Sequence, residues 1–181
     1  RVITEEFARE LSGMKKICPH FHLSLQSGCD ETLKRMNRHY TCREYYERCC
    51  ILRKYFKNPA ITTDVIVGFP AETEEEFAIT EEFLKKVNFY EMHVFKYSRR
   101  AGTRADRMPD QVPEQVKGRR SDVLLELEAS MSREYREHFV GNSVRVLFED
   151  MAEVEGRKYI IGHTPQYVKA ALAVKDGEEN R

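Results

Sequence analysis

The sequence predicts an α/β fold built on parallel strands, and three observations lead there. Apolar runs with period-two alternation occur near residues 21–27, 61–69 and 90–98. The stretches between them carry helical spacing and helix-start signals. About 30 to 40 residues separate successive strands, enough for right-handed crossovers and hence parallel pairing. Helices cover at least one face of such a sheet, so the other face must lie against something. In a barrel that face lines the axis.

Residues 4–13 read as the end of a helix. The first strand lies in "HFHLSLQSGCDE", residues 20–31, where His20, His22, Ser24 and Gln26 alternate with Leu23 and Leu25. Gly28 ends it, and Asp30 is placed to cap a short helix through Met36. Thr41 with Glu44 forms a capping box. The helix it opens carries Tyr45, Ile51, Leu52, Tyr55 and Phe56 and stops before Asn58-Pro59. In "ITTDVIVGFP", Val65, Val67 and Phe69 alternate with Asp64, Ile66 and Gly68. Thr73 and Glu76 make a second capping box, before a stripe of Phe77, Phe83, Leu84 and Val87. "YEMHVFKYS" sets His93, Phe95 and Tyr97 on one face and Met92, Val94 and Lys96 on the other.

The Arg-, Gly- and Pro-rich stretch "RRAGTRADRMPDQVP" reads as a loop. A long helix over residues 113–139 follows, with Val116, Val123, Leu124, Leu127, Met131 and Tyr135 on one side; Gly141 and Asn142 end it. From Ser143 the character changes. "SVRVLFED", "KYIIGHT" and "YVKAALAV" are short strand-like runs, expected to form part of a small antiparallel β module. The chain stops in "KDGEENR", where a further strand is expected.

A hydrophobic share of 41% and a charged share of 33% are globular. The zero net charge leaves nucleic-acid binding to local patches rather than bulk charge. No apolar run is long enough for a bilayer span, and "RVITEEFARELSG" lacks an apolar signal core, so a cytoplasmic protein with no membrane partner is expected. The five cysteines, Cys18, Cys29, Cys42, Cys49 and Cys50, are odd in number and show neither C-x-x-C nor any zinc or iron–sulfur spacing. No metal site is expected from them.

Three strands each offer one face with polar members: His22/Ser24/Gln26, Thr62/Asp64 and His93/Tyr97. These faces are expected to converge on a common lumen that binds a ligand. Each group also has a plainer reading. Asp64, set among Val and Ile, is either a cavity group or a partner in a salt bridge or strand end, because a buried lone carboxylate is costly. Gly68 and Pro70 either let a ligand approach bare backbone or simply turn the chain into the next helix. His20 and His22 have a spacing that permits shared metal ligation, but polar lining is favoured. Arg99, Arg100, Arg104 and Arg107 suit phosphate or RNA backbone, or form a solvated loop.

"HFHLSLQSGCDETLKRMNRHYT", "TTDVIVGFPAETEEEF" and "HVFKYSRRAGTRADRMPDQV", in this order, resemble the radical-SAM methylthiotransferases over about residues 15–140. "HVFKYSRRAGT" is most similar to the branch acting on threonylcarbamoyladenosine in tRNA, rather than the isopentenyladenosine-tRNA or ribosomal-protein branches. The resemblance implies the carboxyl-terminal half of a partial (β/α) TIM-like barrel over residues 1–140. Residues 141–181 would begin a truncated RNA-binding β-barrel module (TRAM, OB-like). It implies S-adenosylmethionine and two 4Fe–4S clusters as cofactors and tRNA as partner. A 5′-deoxyadenosyl radical would take hydrogen from C2 of the modified adenine, where a methylthio group is then installed.

Carried over by position, Ser24, Gln26 and Ser27 would border the S-adenosylmethionine site, and Arg38 would offer it a cation. Asp64, Gly68, Phe69, Pro70 and Glu72 would lie near its adenosine, and Phe95, Tyr97 and Ser98 beside the adenine. The family's C-x-x-x-C-x-x-C motif does not occur in this sequence, which also reads "RRAGTRA" where many relatives place a proline before the glycine. The expectation is a fragment that ligates neither cluster, is inactive by itself, and self-associates through exposed sheet edges. An RNA-binding module without enzymatic activity is the alternative.

Overall fold

The computed structural model describes residues 2–174, arranged around two three-stranded sheets. In the first, β1 (His20–His22), β2 (Ala60–Val67) and β3 (Glu91–Lys96) run parallel in that order. His22 stands opposite Thr62, Asp64 opposite His93, and Ile66 opposite Phe95. The β1 ladder is shorter than the alternation over residues 21–27 suggests. Gln26 adopts φ of 75°, which breaks the pleat. The segment nevertheless stays beside β2: Leu23 N–H donates to Thr62 O, Gln26 N–H to Asp64 O, and Ile66 N–H to Gln26 O.

The helices are α1 (Glu5–Ser12), which precedes β1; α2 (Asp30–Arg35) and α3 (Cys42–Tyr55), which cross from β1 to β2; α4 (Glu74–Val87), which crosses from β2 to β3; and α5 (Glu114–Glu137), which follows β3. Both capping boxes are formed, Thr41 with Glu44 at α3 and Thr73 with Glu76 at α4. Asp30 does not cap its own helix. Its carboxylate accepts from Cys42 N–H at 2.7 Å and so secures the start of α3, while Cys29 holds the N-cap of α2 without a side-chain bond.

One face of the parallel sheet is shut. Leu25, Ile61, Val65, Val67 and Met92 pack against Tyr45 and Leu52 of α3, Phe77 and Leu84 of α4, and Leu124 and Met131 of α5. Residues one position out of phase make the opposite face, where His22, Ser24, His93 and Phe95 are exposed and Asp64 and Ile66 half-buried. Among the described residues no helix covers it.

The second sheet is antiparallel: β4 (Leu147–Val154), β5 (Arg157–His163) and β6 (Lys169–Ala173). β4 begins at Leu147 rather than Ser143. Glu155 and Gly156, both at positive φ, make the two-residue hairpin turn that a right-twisted ribbon favours. The sheet docks at the amino-terminal ends of the parallel strands, where Val168 packs with Ala60, Tyr90, Tyr135 and Phe139. Among the described residues these three strands form an open sheet; the expected further strand at residues 175–181 lies outside them. Among the described residues no helix is long and apolar enough to cross a membrane.

Candidate functional site

Alternation on three neighbouring strands sets four side chains together in the middle of the open face. The Ser24 hydroxyl donates to Asp64 Oδ2 at 2.8 Å. His22 Nε2 lies 3.1 Å from both Ser24 Oγ and Asp64 Oδ2, and its Nδ1 lies 3.1 Å from Thr62 Oγ1. The His22 and His93 rings are 6.1 Å apart, and Phe95 follows along β3 at 6.4 Å from His93. Burial alone would raise the Asp64 carboxyl; hydrogen bonds from Ser24 and His22 and the positive potential of His22 and His93 hold it below the ordinary carboxylate value. An anion flanked by two imidazoles and a hydroxyl can bind ribose hydroxyls, a proton or a cation.

The carboxyl-terminal end of β2 is built differently. Gly68 sits at φ of +72°, and a Cβ there would come within 2.3 Å of Lys117 Cγ, so the α5 lysine fills the space the glycine leaves. Lys117 Nζ donates to Tyr97 O at 2.9 Å and to Glu114 Oε1 at 2.6 Å. Glu72 is buried. Its Oε2 accepts from Gly68 N–H and from Arg120 Nη1, each at 2.7 Å. Burial pushes the Glu72 carboxyl upward, against the opposing pull of Gly68 N–H and Arg120. This turn is a clamp: two cations from α5 fix the ends of β2 and β3.

Beside the clamp, Tyr97, Ser98, Arg99, Gln111 and Lys117 line a cleft of about 590 Å³. Phe69 meets the Tyr97 ring edge-on at 5.3 Å. Tyr97 Oη and Gln111 Oε1 are both enclosed and have no hydrogen-bond partner, a donor and an acceptor of the kind that pair with a base edge.

The structure thus sorts the residues singled out by sequence. Ser24, Asp64 and Phe95 share the open face, while Phe69, Tyr97 and Ser98 meet at the neighbouring cleft end. Gln26 is buried where β1 leaves the sheet. Ser27 points the other way, its hydroxyl 3.3 Å from Thr80 of α4. Gly68, Pro70 and Glu72 are buried in the clamp rather than on the open face. Arg38 is exposed near Tyr40, whose hydroxyl donates to Leu25 O at 2.7 Å. Arg99 is paired with Asp106 at 2.9 Å, while Arg100, Arg104 and Arg107 are exposed. His22, Thr62 and His93 complete the cluster and are signalled by strand alternation. Lys117 and Arg120 have only a weak signal, two cations placed in the otherwise apolar stripe of α5. The second sheet adds an aromatic surface: His163 and Tyr167 stack at 4.3 Å and 9°, with His20 at 5.3 Å from Tyr167.

An iron–sulfur cluster requires several thiolates at one point. Cys18 and Cys50 are exposed, Cys42 is half-buried, and Cys29 and Cys49 are buried. Burial pushes the Cys49 thiol up to about 12 and raises Cys42 further, which opposes thiolate formation. Among the described residues no three of these cysteines form a ligand set, so these cysteines do not fit a cluster. The open face instead carries the Ser24–Asp64 pair, a hydroxyl and a carboxylate of the kind that meets ribose hydroxyls.

A family model described as the radical SAM superfamily matches residues 1–84. A threonylcarbamoyladenosine tRNA methylthiotransferase (MtaB) of Bacillus subtilis is 42% identical over 171 residues, which is 94% of this chain and 38% of the relative. A tRNA-2-methylthio-N(6)-dimethylallyladenosine synthase of Acetivibrio thermocellus is 39% identical over 155 residues, 86% of this chain and 32% of that protein. Among solved structures, the coproporphyrinogen III oxidase of Escherichia coli, described as a radical SAM enzyme, aligns with a TM-score of 0.55 at 22% identity. It covers 74% of this chain and 30% of its own, a likeness of fold alone. The chain therefore spans about a third of the length of the relatives it matches.

Proposed function

Because this chain belongs to the radical SAM methylthiotransferase family, we propose that its open sheet face and adjoining cleft hold S-adenosylmethionine and the target adenine of a tRNA. The activity proposed for the whole protein is methylthiolation of C2 of N6-threonylcarbamoyladenosine next to the anticodon. Relatives named for threonylcarbamoyladenosine and for dimethylallyladenosine match at similar identity, so the choice between them rests on the resemblance of "HVFKYSRRAGT" to the former branch. The observation that carries the reading is the Ser24–Asp64–His22–His93 cluster, facing away from every helix of the sheet.

When bound and reductively cleaved, S-adenosylmethionine supplies a carbon radical that can take hydrogen from a C–H bond. The chain's own residues bind and orient. Asp64, ionised at neutral pH, accepts from hydroxyls, and Ser24 fixes its rotamer. Tyr97 Oη and Gln111 Oε1 gain the partners they lack when a base edge enters the cleft. Phe69 and Phe95 exclude water from that edge. Arg100, Arg104 and Arg107 meet tRNA phosphates, and the His163–Tyr167 stack, in the module we assign to RNA binding, offers a platform for an unpaired base.

Calorimetric titration of the chain with S-adenosylmethionine, and separately with a modified anticodon stem-loop, tests this. Binding of the cofactor should weaken in Asp64→Ala and in Tyr97→Phe. RNA affinity should fall steeply with salt and drop in the Arg100→Ala/Arg104→Ala double variant. Tight RNA binding with no cofactor binding would support the alternative of an RNA-binding module, a reading favoured by the dispersed cysteines. Binding of neither ligand would contradict both.

A further inference from the structure

We propose that His22, Asp64 and His93 form a binding site for one divalent transition-metal ion, separate from any iron–sulfur chemistry. Each offers a ligand atom, and these atoms all lie within 4.8 Å of one another. The set is two imidazoles and one carboxylate, a combination that suits Fe(II), Co(II), Ni(II) and Zn(II) and discriminates against the hard ions Mg²⁺ and Ca²⁺.

Three features go beyond proximity. First, the spacing of His22 and Asp64 matches shared ligation, and the exposed His93 closes on the same point by a side-chain adjustment. Ligands about 2.0–2.1 Å from an ion, at ordinary coordination angles, stand roughly 3 Å apart. His22 Nε2 and Asp64 Oδ2 are 3.1 Å apart. Second, the outer contacts already point the ligands inward. With Nδ1–H donating to Thr62 Oγ1, His22 presents the Nε2 lone pair to Asp64, and the Ser24 hydroxyl anchors the carboxylate from the side. Ligating histidines are commonly held in this way through their second nitrogen. Without an ion the other tautomer lets Nε2–H donate to Asp64 Oδ2, so the same two contacts serve the empty and the occupied site. Third, Asp64 and His93 are directly paired across β2 and β3, so two of the three ligands sit on rigid backbone. His22 is 40% exposed and Asp64 26%, which leaves an entry path for an ion and room for water or a substrate oxygen to complete its shell.

A metal here would sit in the middle of the face proposed for the nucleoside, yet the site does not depend on that reading. The test therefore uses metal alone. Co²⁺ is titrated into the chain under reducing conditions, with visible absorption reporting coordination geometry, and Zn²⁺ is followed by calorimetry. Cys18→Ser/Cys50→Ser serves as background, so that the two exposed thiols cannot compete. One equivalent should bind, with ligand-field bands and no thiolate charge-transfer band. His93→Gln and Asp64→Asn should each weaken binding at least about tenfold, and Thr62→Val should weaken it by a factor of about ten or more through His22 alone. Because His93 is exposed, His93→Gln should keep the parental thermal midpoint, which separates ligand loss from misfolding. No saturable binding, or binding indifferent to His93→Gln and Asp64→Asn in folded protein, would overturn the proposal. In that case the His22–Asp64 contact is a hydrogen bond alone, and cofactor binding remains a separate question.

Discussion

Along β2, Thr63, Val65 and Val67 are shut against helices, while Asp64 and Ile66, one residue out of phase, look onto an uncovered surface. The same period that buries one row exposes the other, but the two rows use different physics. The covered row is held by apolar burial and shape, with Leu25, Leu52, Leu84 and Leu124 sealed from solvent. The open row is held by hydrogen bonds among groups that gain little from each other in water. Four polar side chains from three strands cluster there although folding alone does not require it. That contrast is why the open row, and not the core, is assigned to ligand binding.

Substitutions can break the contrast, and the largest effects should fall on the covered side. Arg120→Ala leaves Glu72 buried without its cation and should cost about 3–5 kcal/mol in urea unfolding. Leu25→Ala should cost about 2–5 kcal/mol by opening a cavity at a fully buried position. Thr41→Ala removes the cap of α3 and should cost about 1 kcal/mol.

Acid should act through Glu76, whose carboxyl is held low first by its hydrogen bond to Arg35, then by Thr73 N–H and Thr32. A depressed folded-state pKa gives stability that is fully present above the unfolded carboxylate value. It disappears as pH falls through the folded one. Glu76→Gln should flatten the unfolding midpoint over that acidic window and leave the neutral-pH slope unchanged. At the other extreme, His93→Gln on the open face should change stability by no more than about 0.5 kcal/mol. A large loss there would erase the distinction between the two rows.

Much of this contrast is legible in the sequence, because strand alternation and capping boxes are local. Thr41/Glu44 and Thr73/Glu76 announce their helices, and His22, Ser24, Asp64 and His93 announce a shared face by period alone. The clamp is not legible. Gly68 invites a reading of open backbone, but its free space is taken by Lys117 from a helix far along the chain, a contact that no local pattern encodes. Glu72 likewise finds Arg120 only after folding. Ser27 faces α4 in phase with Leu23 and Leu25, whereas Gln26 leaves the open face by entering the left-handed region, a backbone choice that nothing in the Gln side chain signals.

Nuclear magnetic resonance of the ¹⁵N-labelled chain during titration with S-adenosylmethionine tests the assignment of the open row most directly. The amide signals of Ser24, Asp64, His93, Phe95 and Tyr97 should move together with one saturation curve, while those of Tyr45, Leu52 and Leu84 stay in place. Shifts confined to α3 and α4 or to the β4–β6 sheet, or no saturable shift at all, would contradict it.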